Sequence, residues 1–250
     1  MWRGLNKQEK LDYERDGYVI LRGVIPKTHC REIMSKSIKP ILRKNRLYYT
    51  SKKDRLNKTG TFFSGKNGQP LSKKWRKWKP LFKNPRLNLS ICDMHPRSLW
   101  KWVDGAVDGL GWIHIRYPYS RNKTWIAPQR GWHLDGLISD TKIDSEKSVT
   151  IMPLITSITN NGGGTALFKG SHKLVNDWIL SGQNRYSLQD FIDKTMDKEF
   201  KYNNTNNIVE TTGEEGDILI MHPHLLHAAS LCSNKNKLRV TFNLSVNYDR

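Results

Sequence analysis

Leu238-Arg239-Val240-Thr241-Phe242-Asn243-Leu244-Ser245-Val246 alternates apolar and polar side chains without a break. Successive side chains of an extended chain point to opposite faces, so this period of two predicts a strand. Leu238, Val240, Phe242, Leu244 and Val246 share one face, while Arg239, Thr241, Asn243 and Ser245 share the other. Moving back toward the N-terminus, the chain from Gly111 reads as short β runs separated by turns. Residues 113–117 alternate and place His114 and Arg116 on one face, and residues 149–155 read as a buried β-like run. Asn160-Asn161-Gly162-Gly163-Gly164 is a turn leading into a strand at 165–168, which Gly170-Ser171-His172 closes. Further β runs are expected at 207–212 and 217–221, after a mostly helical insertion over 175–200. Many short strands with glycine-rich turns predict a β-sandwich or a barrel closed on itself.

The N-terminal part reads differently. Residues 8–16 suit a helix stopped by Gly17, followed by a β run at 18–25 that Pro26 closes. Thr28 is the expected cap of a second helix reaching Arg43, with Ile33, Ile38, Ile41 and Leu42 on its buried face. Residues 45–72 read as a long loop with a turn at Lys66-Asn67-Gly68, and residues 99–110 as a further helix. With no linker or internal repeat, the 250 residues are read as a single domain, 1–250. Residues 1–110 form its N-terminal helical and basic lid region and residues 111–250 its β core. No apolar run approaches the roughly 20 residues that span a bilayer. The first residues lack a secretory signal, and Cys30, Cys92 and Cys232 are an odd, widely spaced set. Buried or inert thiols in an intracellular, cytoplasmic protein are the expectation.

The net charge of +19 is concentrated. Residues 36–86 hold 17 Lys/Arg and one acid, Asp54, and so carry +16 of it. A solvated surface loop is one reading. The aromatic interleaving of Lys73-Lys74-Trp75-Arg76-Lys77-Trp78-Lys79 supports another, a basic groove with stacking faces for nucleic acid, a nucleotide, an acyl-CoA thioester or another polyanion. Lys74, Trp75, Arg76 and Trp78 are the substrate candidates in this segment.

Gly131-Trp132-His133-Leu134-Asp135-Gly136 carries the chemistry. In an extended segment His133 and Asp135 project to one face and Leu134 to the other. A third ligand has to come from another strand, and Gly216-Asp217 introduces a β-rich stretch ending in His222, His224 and His227. His227 is the candidate third ligand, while His222 and His224 read as core or wall. Two neutral imidazoles and one carboxylate leave half the coordination sphere of a divalent iron open, the arrangement used for oxygen chemistry. Arg239 can hold a carboxylate through two parallel charge-assisted hydrogen bonds, as a dicarboxylate co-substrate requires. The alternative is an exposed strand face with an incidental arginine. Trp132, His114, Arg116 and Gln129 are candidate pocket residues, Trp132 being equally suited to packing.

These features together resemble the phytanoyl-CoA dioxygenase family of Fe(II)/2-oxoglutarate-dependent oxygenases. The matching stretches are residues 16–26, Trp132-His133-Leu134-Asp135-Gly136, Asn161-Gly162-Gly163 with Gly170-Ser171-His172, Gly216-Asp217 before His227, and Asn234 with Arg239. They follow in collinear order from about residue 9 to 246. The resemblance implies a mainly β fold with flanking helices, a double-stranded β-helix (jelly roll) core and an N-terminal helical extension. It implies Fe(II) on His133, Asp135 and His227, and 2-oxoglutarate held through its distal carboxylate by Arg239. O₂ and 2-oxoglutarate would be consumed, succinate and CO₂ released, and a C–H bond of an anionic substrate hydroxylated. Family members often carry a hydroxyl residue two positions after the distal histidine; here that position is Ala229, with Ser230 or Thr241 as the substitute. Halogenating relatives lack the carboxylate ligand, so Asp135 favours hydroxylation. Two other classes are a non-catalytic jelly-roll protein that binds nucleic acid or another polyanion through residues 36–86, and a cupin-like enzyme that uses another metal without 2-oxoglutarate.

Overall fold

Asn6 opens the first helix, α1 (Lys7–Asp16), through a capping box: its side chain accepts the Glu9 N–H, and the Glu9 carboxylate accepts the Asn6 N–H. These bonds satisfy N–H groups that the first turn leaves without helical partners. Gly17, at φ 82°, ends the helix in the left-handed conformation expected of it. The computed structural model describes residues 4–44, 61–63, 83–94, 99–102, 112–116, 124–135, 148–181, 187–202, 205–231 and 238–249.

Strand β1 (Tyr18–Leu21) is shorter than the expected 18–25 run. Asp217 stops it by accepting the Arg22 guanidinium at 2.7 Å and the Gly23 N–H at 2.9 Å. Helix α2 (Lys27–Ile33) starts after Pro26 with no side-chain cap, so the capping role expected of Thr28 is not observed. Proline's fixed φ already suits a helix start. The helix continues as a π turn (Met34–Ile38) and then α3 (Lys39–Lys44). Pro40 has no N–H to donate, and the wider turn just before it shifts the bonding by one residue, Lys39 donating to Met34.

Two further expectations are corrected. A strand, β2 (Thr61–Phe63), lies within the expected 45–72 loop and pairs with β4 (Trp112–Arg116). The Lys66-Asn67-Gly68 turn lies outside the described residues. Residues 99–102 are not helical but form β3 (Leu99–Trp102), because the far end of the long C-terminal strand offers Val246 to Asp249 as ladder partners. The helix instead precedes it as α4 (Pro85–Met94), where Asn84 caps the Leu87 N–H and buries Leu87 and Ile91. An Asn-Pro pair before an apolar stripe is a helix-start signal, here hidden inside the basic run. Cys30 is buried and Cys92 is exposed.

The remaining elements are β5 (Ser148–Pro153), β6 (Ala166–Phe168), α5 (Ser171–Leu180), α6 (Leu188–Lys201), β7 (Ile208–Glu210), β8 (Ile218–Met221), β9 (His227–Ala228) and β10 (Arg239–Asp249). All pairings between them are antiparallel. One sheet runs β1-β8-β5-β10-β4-β2 with β3 also on β10, and a second runs β7-β6-β9. The fold is therefore mainly antiparallel sheet with helices against it. The apolar face of β10 supplies Val240, Phe242, Leu244 and Val246 to the largest core cluster, which also holds Leu21, Ile38, Leu42, Leu87 and Ile151. Trp132 and Leu134 belong to a second cluster with Phe168, Val175, Ile192 and Met196, between the small sheet and helices α5 and α6.

Three histidines, His172, His222 and His224, adjoin one another with ring centroids 5.0 and 5.2 Å apart. Burial, then the charge of His172, pushes His224 down to about 4. The unfolded chain takes up this proton near pH 6.5, so stability is full above that pH and falls as pH drops toward 4, by on the order of 3 kcal/mol. Denaturant melts between pH 7 and 4 are expected to show this slope and to lose much of it in His224→Gln; an identical slope in the variant rejects the assignment.

Candidate metal centre

His133 and His227 meet through their backbones. The His133 N–H donates to the His227 carbonyl at 3.0 Å and the reverse bond is 3.2 Å, a single antiparallel bridge between segments far apart in sequence. β9 is itself held in the small sheet by Leu167 opposite His227. The alternation expected around His133 is present: Leu134 is buried in the apolar cluster, while His133 and Asp135 face the other way.

Each imidazole is oriented by a carbonyl. His133 Nδ1 lies 2.8 Å from the Gly131 oxygen and His227 Nδ1 3.0 Å from the Leu225 oxygen. A carbonyl only accepts, so both Nδ1 atoms carry the proton and both Nε2 lone pairs remain for a metal. Asp135 Oδ1 is 3.5 Å from His227 Nε2 and 3.9 Å from His133 Nε2. Its other oxygen, Oδ2, accepts a 3.0 Å bond from Asn243 Nδ2. One oxygen is thus pinned away and one is presented. The three donor atoms lie within 4.8 Å of one another; donors bonded to one ion at about 2.1 Å sit about 3 to 4 Å apart. Among the described residues no other such group occurs, and His222 and His224 fall outside it.

The electrostatics fit ligation. Burial raises the Asp135 carboxyl, but the charge and hydrogen bond of His227, the Asn243 bond and the charge of His133 outweigh it and hold it well below the usual carboxylate range. Burial and the charge of His227 push His133 down, toward the neutral form a metal needs. Burial lowers His227 too, but the Asp135 carboxylate outweighs this and raises it; a cation between them would take over that role.

The triad opens on a cavity of about 270 Å³ between the two sheets, lined also by His114 and Arg116 of β4, Met152 of β5, and Arg239 and Asn243 of β10. Arg239 is 3% exposed, which overturns the reading of an exposed strand face. Its Nη1 donates to the Gly163 carbonyl. Thr241, two residues along, is fully buried and its hydroxyl has no hydrogen-bond partner among the described residues. The Ser230 hydroxyl donates to the Gly164 carbonyl instead. A guanidinium beside an unsatisfied hydroxyl suits a carboxylate, so the residues fit 2-oxoglutarate as the triad fits iron. Burial and the charge of Arg239 push His114 down to about 4, which leaves it neutral at physiological pH.

Not every candidate reaches the cavity. Trp132 is buried in the apolar cluster with its indole N–H on the Pro128 carbonyl at 2.8 Å, so its observed role is packing. Gln129 is exposed and does not line the cavity. Lys74, Trp75, Arg76 and Trp78 lie outside the described residues. Asn243 was legible only as one more polar residue on the face of Arg239; its place four residues along that face was the available signal.

A model of the phytanoyl-CoA dioxygenase family (PhyH) matches residues 13–237. The chain belongs to the phytanoyl-CoA dioxygenase family. As a family member it is an Fe(II)- and 2-oxoglutarate-dependent oxygenase, with the antiparallel frame and His/His/Asp cluster that this chemistry uses. A search of curated proteins finds no match. Among solved structures, HygX from Streptomyces hygroscopicus with nickel and 2-oxoglutarate bound shares the fold at a TM-score of 0.59 and 14% identity, covering 98% of this chain and 87% of that one. EctD from S. alaskensis gives 0.58 and 13%, covering 98% and 78%. SnoK, an alpha-ketoglutarate-dependent carbocyclase from nogalamycin biosynthesis, gives 0.55 and 14%, covering 98% and 84%.

Proposed function

We propose that this oxygenase hydroxylates a C–H bond of an anionic substrate, with iron held by His133, Asp135 and His227 and 2-oxoglutarate anchored by Arg239. The observation that carries the reading is the convergence of two Nε2 lone pairs and one carboxylate oxygen within 4.8 Å, beside a buried arginine that lines the same cavity. We read residues 111–250 as a jelly-roll core and residues 1–110 as a helical and basic lid region of the same domain, one that also adds β1, β2 and β3 to the larger sheet.

Iron and 2-oxoglutarate, when bound, supply with O₂ an oxidant able to break a C–H bond while succinate and CO₂ are released. The chain's own part is binding, orientation and exclusion of water. Asn243 holds Asp135 Oδ2, so that the carboxylate would offer a single oxygen, Oδ1, to the iron. Arg239 fixes the far end of the dicarboxylate, with Thr241, whose hydroxyl has no partner among the described residues, the preferred companion and Ser230, which already donates to Gly164, the alternative. His114 and Arg116, on the wall formed by β4, are the candidate contacts to the substrate. Anaerobic Fe(II) with 2-oxoglutarate is expected to give a visible charge-transfer band, and substrate-stimulated succinate release to identify the substrate from a metabolite and nucleic-acid panel. No band would reject the assignment.

The basic segment supports the anionic substrate. Neutralising Lys73, Lys74, Arg76, Lys77 and Lys79 together is expected to weaken binding of a single-stranded oligonucleotide or a coenzyme A thioester. For the oligonucleotide, the log–log salt slope should shrink by up to about 3.5. Unaltered binding of both probes would favour a solvated loop.

A further inference from the structure

The turn Asn160-Asn161-Gly162-Gly163-Gly164 takes no direct part in the metal site, yet it is tied on one side by a single carboxylate. Glu210, the last residue of β7, accepts the Asn161 N–H on Oε2 at 2.7 Å, and the Gly163 and Gly164 N–H groups on Oε1 at 2.6 and 3.0 Å. Left-handed Asn161 at φ 60° and Gly163 at φ 80° turn these N–H groups to one side, making a small anion-binding concavity that Glu210 fills. Gly164 admits no side chain there, since a Cβ would lie 1.8 Å from the Thr211 carbonyl oxygen.

The opposite side of the turn meets Arg239, which lines the cavity. The Gly163 carbonyl accepts from Arg239 Nη1, and the Gly164 carbonyl accepts from Ser230. The Gly163 carbonyl and the Gly164 N–H belong to one planar peptide group. That peptide therefore bridges the Glu210 carboxylate on one edge and the Arg239 guanidinium on the other. Such a chain is polarised in one direction, and movement at one end is passed to the other.

We propose that Glu210 is a positioning residue for the co-substrate anchor: through the Gly163–Gly164 peptide it fixes the Arg239 guanidinium in the orientation that receives the distal carboxylate of 2-oxoglutarate. The inference rests on the role proposed above for Arg239. Glu210→Gln tests it, because an amide turns one NH₂ toward N–H donors and must lose the bond to Asn161 or those to Gly163 and Gly164. Glu210→Asp, which keeps the charge one methylene short, is the second variant.

The measurement is anaerobic titration of Fe(II)-loaded protein, followed by its charge-transfer band. Two ligands are compared: 2-oxoglutarate, and 2-oxovalerate, which has the same chelating head but a methyl group in place of the distal carboxylate. Glu210→Gln is expected to raise the Kd for 2-oxoglutarate about tenfold, within the range of coupling seen inside one hydrogen-bond network. The Kd for 2-oxovalerate and the affinity for Mn(II) should stay as in the unaltered protein, which general loosening of the turn would not allow. An unchanged 2-oxoglutarate Kd, or an equal loss for both ligands, overturns the proposal. Absence of any band in the unaltered protein is a different result and overturns the proposed function itself.

Discussion

Asp135→Ala leaves a folded protein that no longer turns over 2-oxoglutarate. The carboxylate is the sole anionic member of the triad, and its Oδ1 lies within 3.9 Å of both imidazole Nε2 atoms. Outer partners of metal ligands are worth about 10- to 100-fold in affinity or activity, and removing the ligand itself is expected to exceed that. The fold should survive, because the side-chain bonds of Asp135 run to Asn243 and His227 at the cavity and tie none of the strand ladders together. His133→Ala should behave in the same way, since its ring reaches the surface and its backbone bridge to His227 does not need the side chain. Succinate release and far-UV circular dichroism measured on the same samples decide the matter. Full turnover in either variant removes that residue from the site.

Arg239→Ala, by contrast, should chiefly raise the 2-oxoglutarate requirement. Truncating one partner of a buried hydrogen-bonded charge pair costs about 2–5 kcal/mol, so the half-saturating concentration is expected to rise from about 30-fold to several thousand-fold. Metal binding should be spared, because Arg239 is not one of the three residues that present donor atoms and it donates to the Gly163 carbonyl. Arg239→Lys keeps the charge but loses the planar fork, and should fall between the two. An unchanged 2-oxoglutarate requirement in Arg239→Ala would reject the carboxylate role. A loss of iron affinity of the same size would place the residue in the metal site instead.

Legibility differed along the chain for physical reasons. The strands at 113–117, 149–155 and 238–246 were readable because alternation or an apolar run is a property of neighbouring residues. Residues 99–102, expected to open a helix, were misread because Leu99-Trp100-Lys101-Trp102 takes its state from β10 beside it. The capping role given to Thr28 failed for a local reason, the proline two residues earlier having already set the helix start. Trp132 was read as equally suited to the pocket and the core; burial of its ring beside Phe168 and Ile192 shows the packing role.

By itself the amino-acid order determined that His133 and Asp135 would share a face, that β10 would carry a polar and an apolar side, and which residue types were available for ferrous chemistry. Spacing along an extended backbone settles these matters wherever the strand ends up. Only the tertiary structure decided that His227 rather than His222 or His224 stands opposite His133, that Asn243 pins one oxygen of Asp135, that Arg239 is buried, and that Glu210 reaches it through a glycine peptide. Those relations join segments tens of residues apart. Their register follows from the burial of whole sheet faces in common cores, which no local pattern encodes.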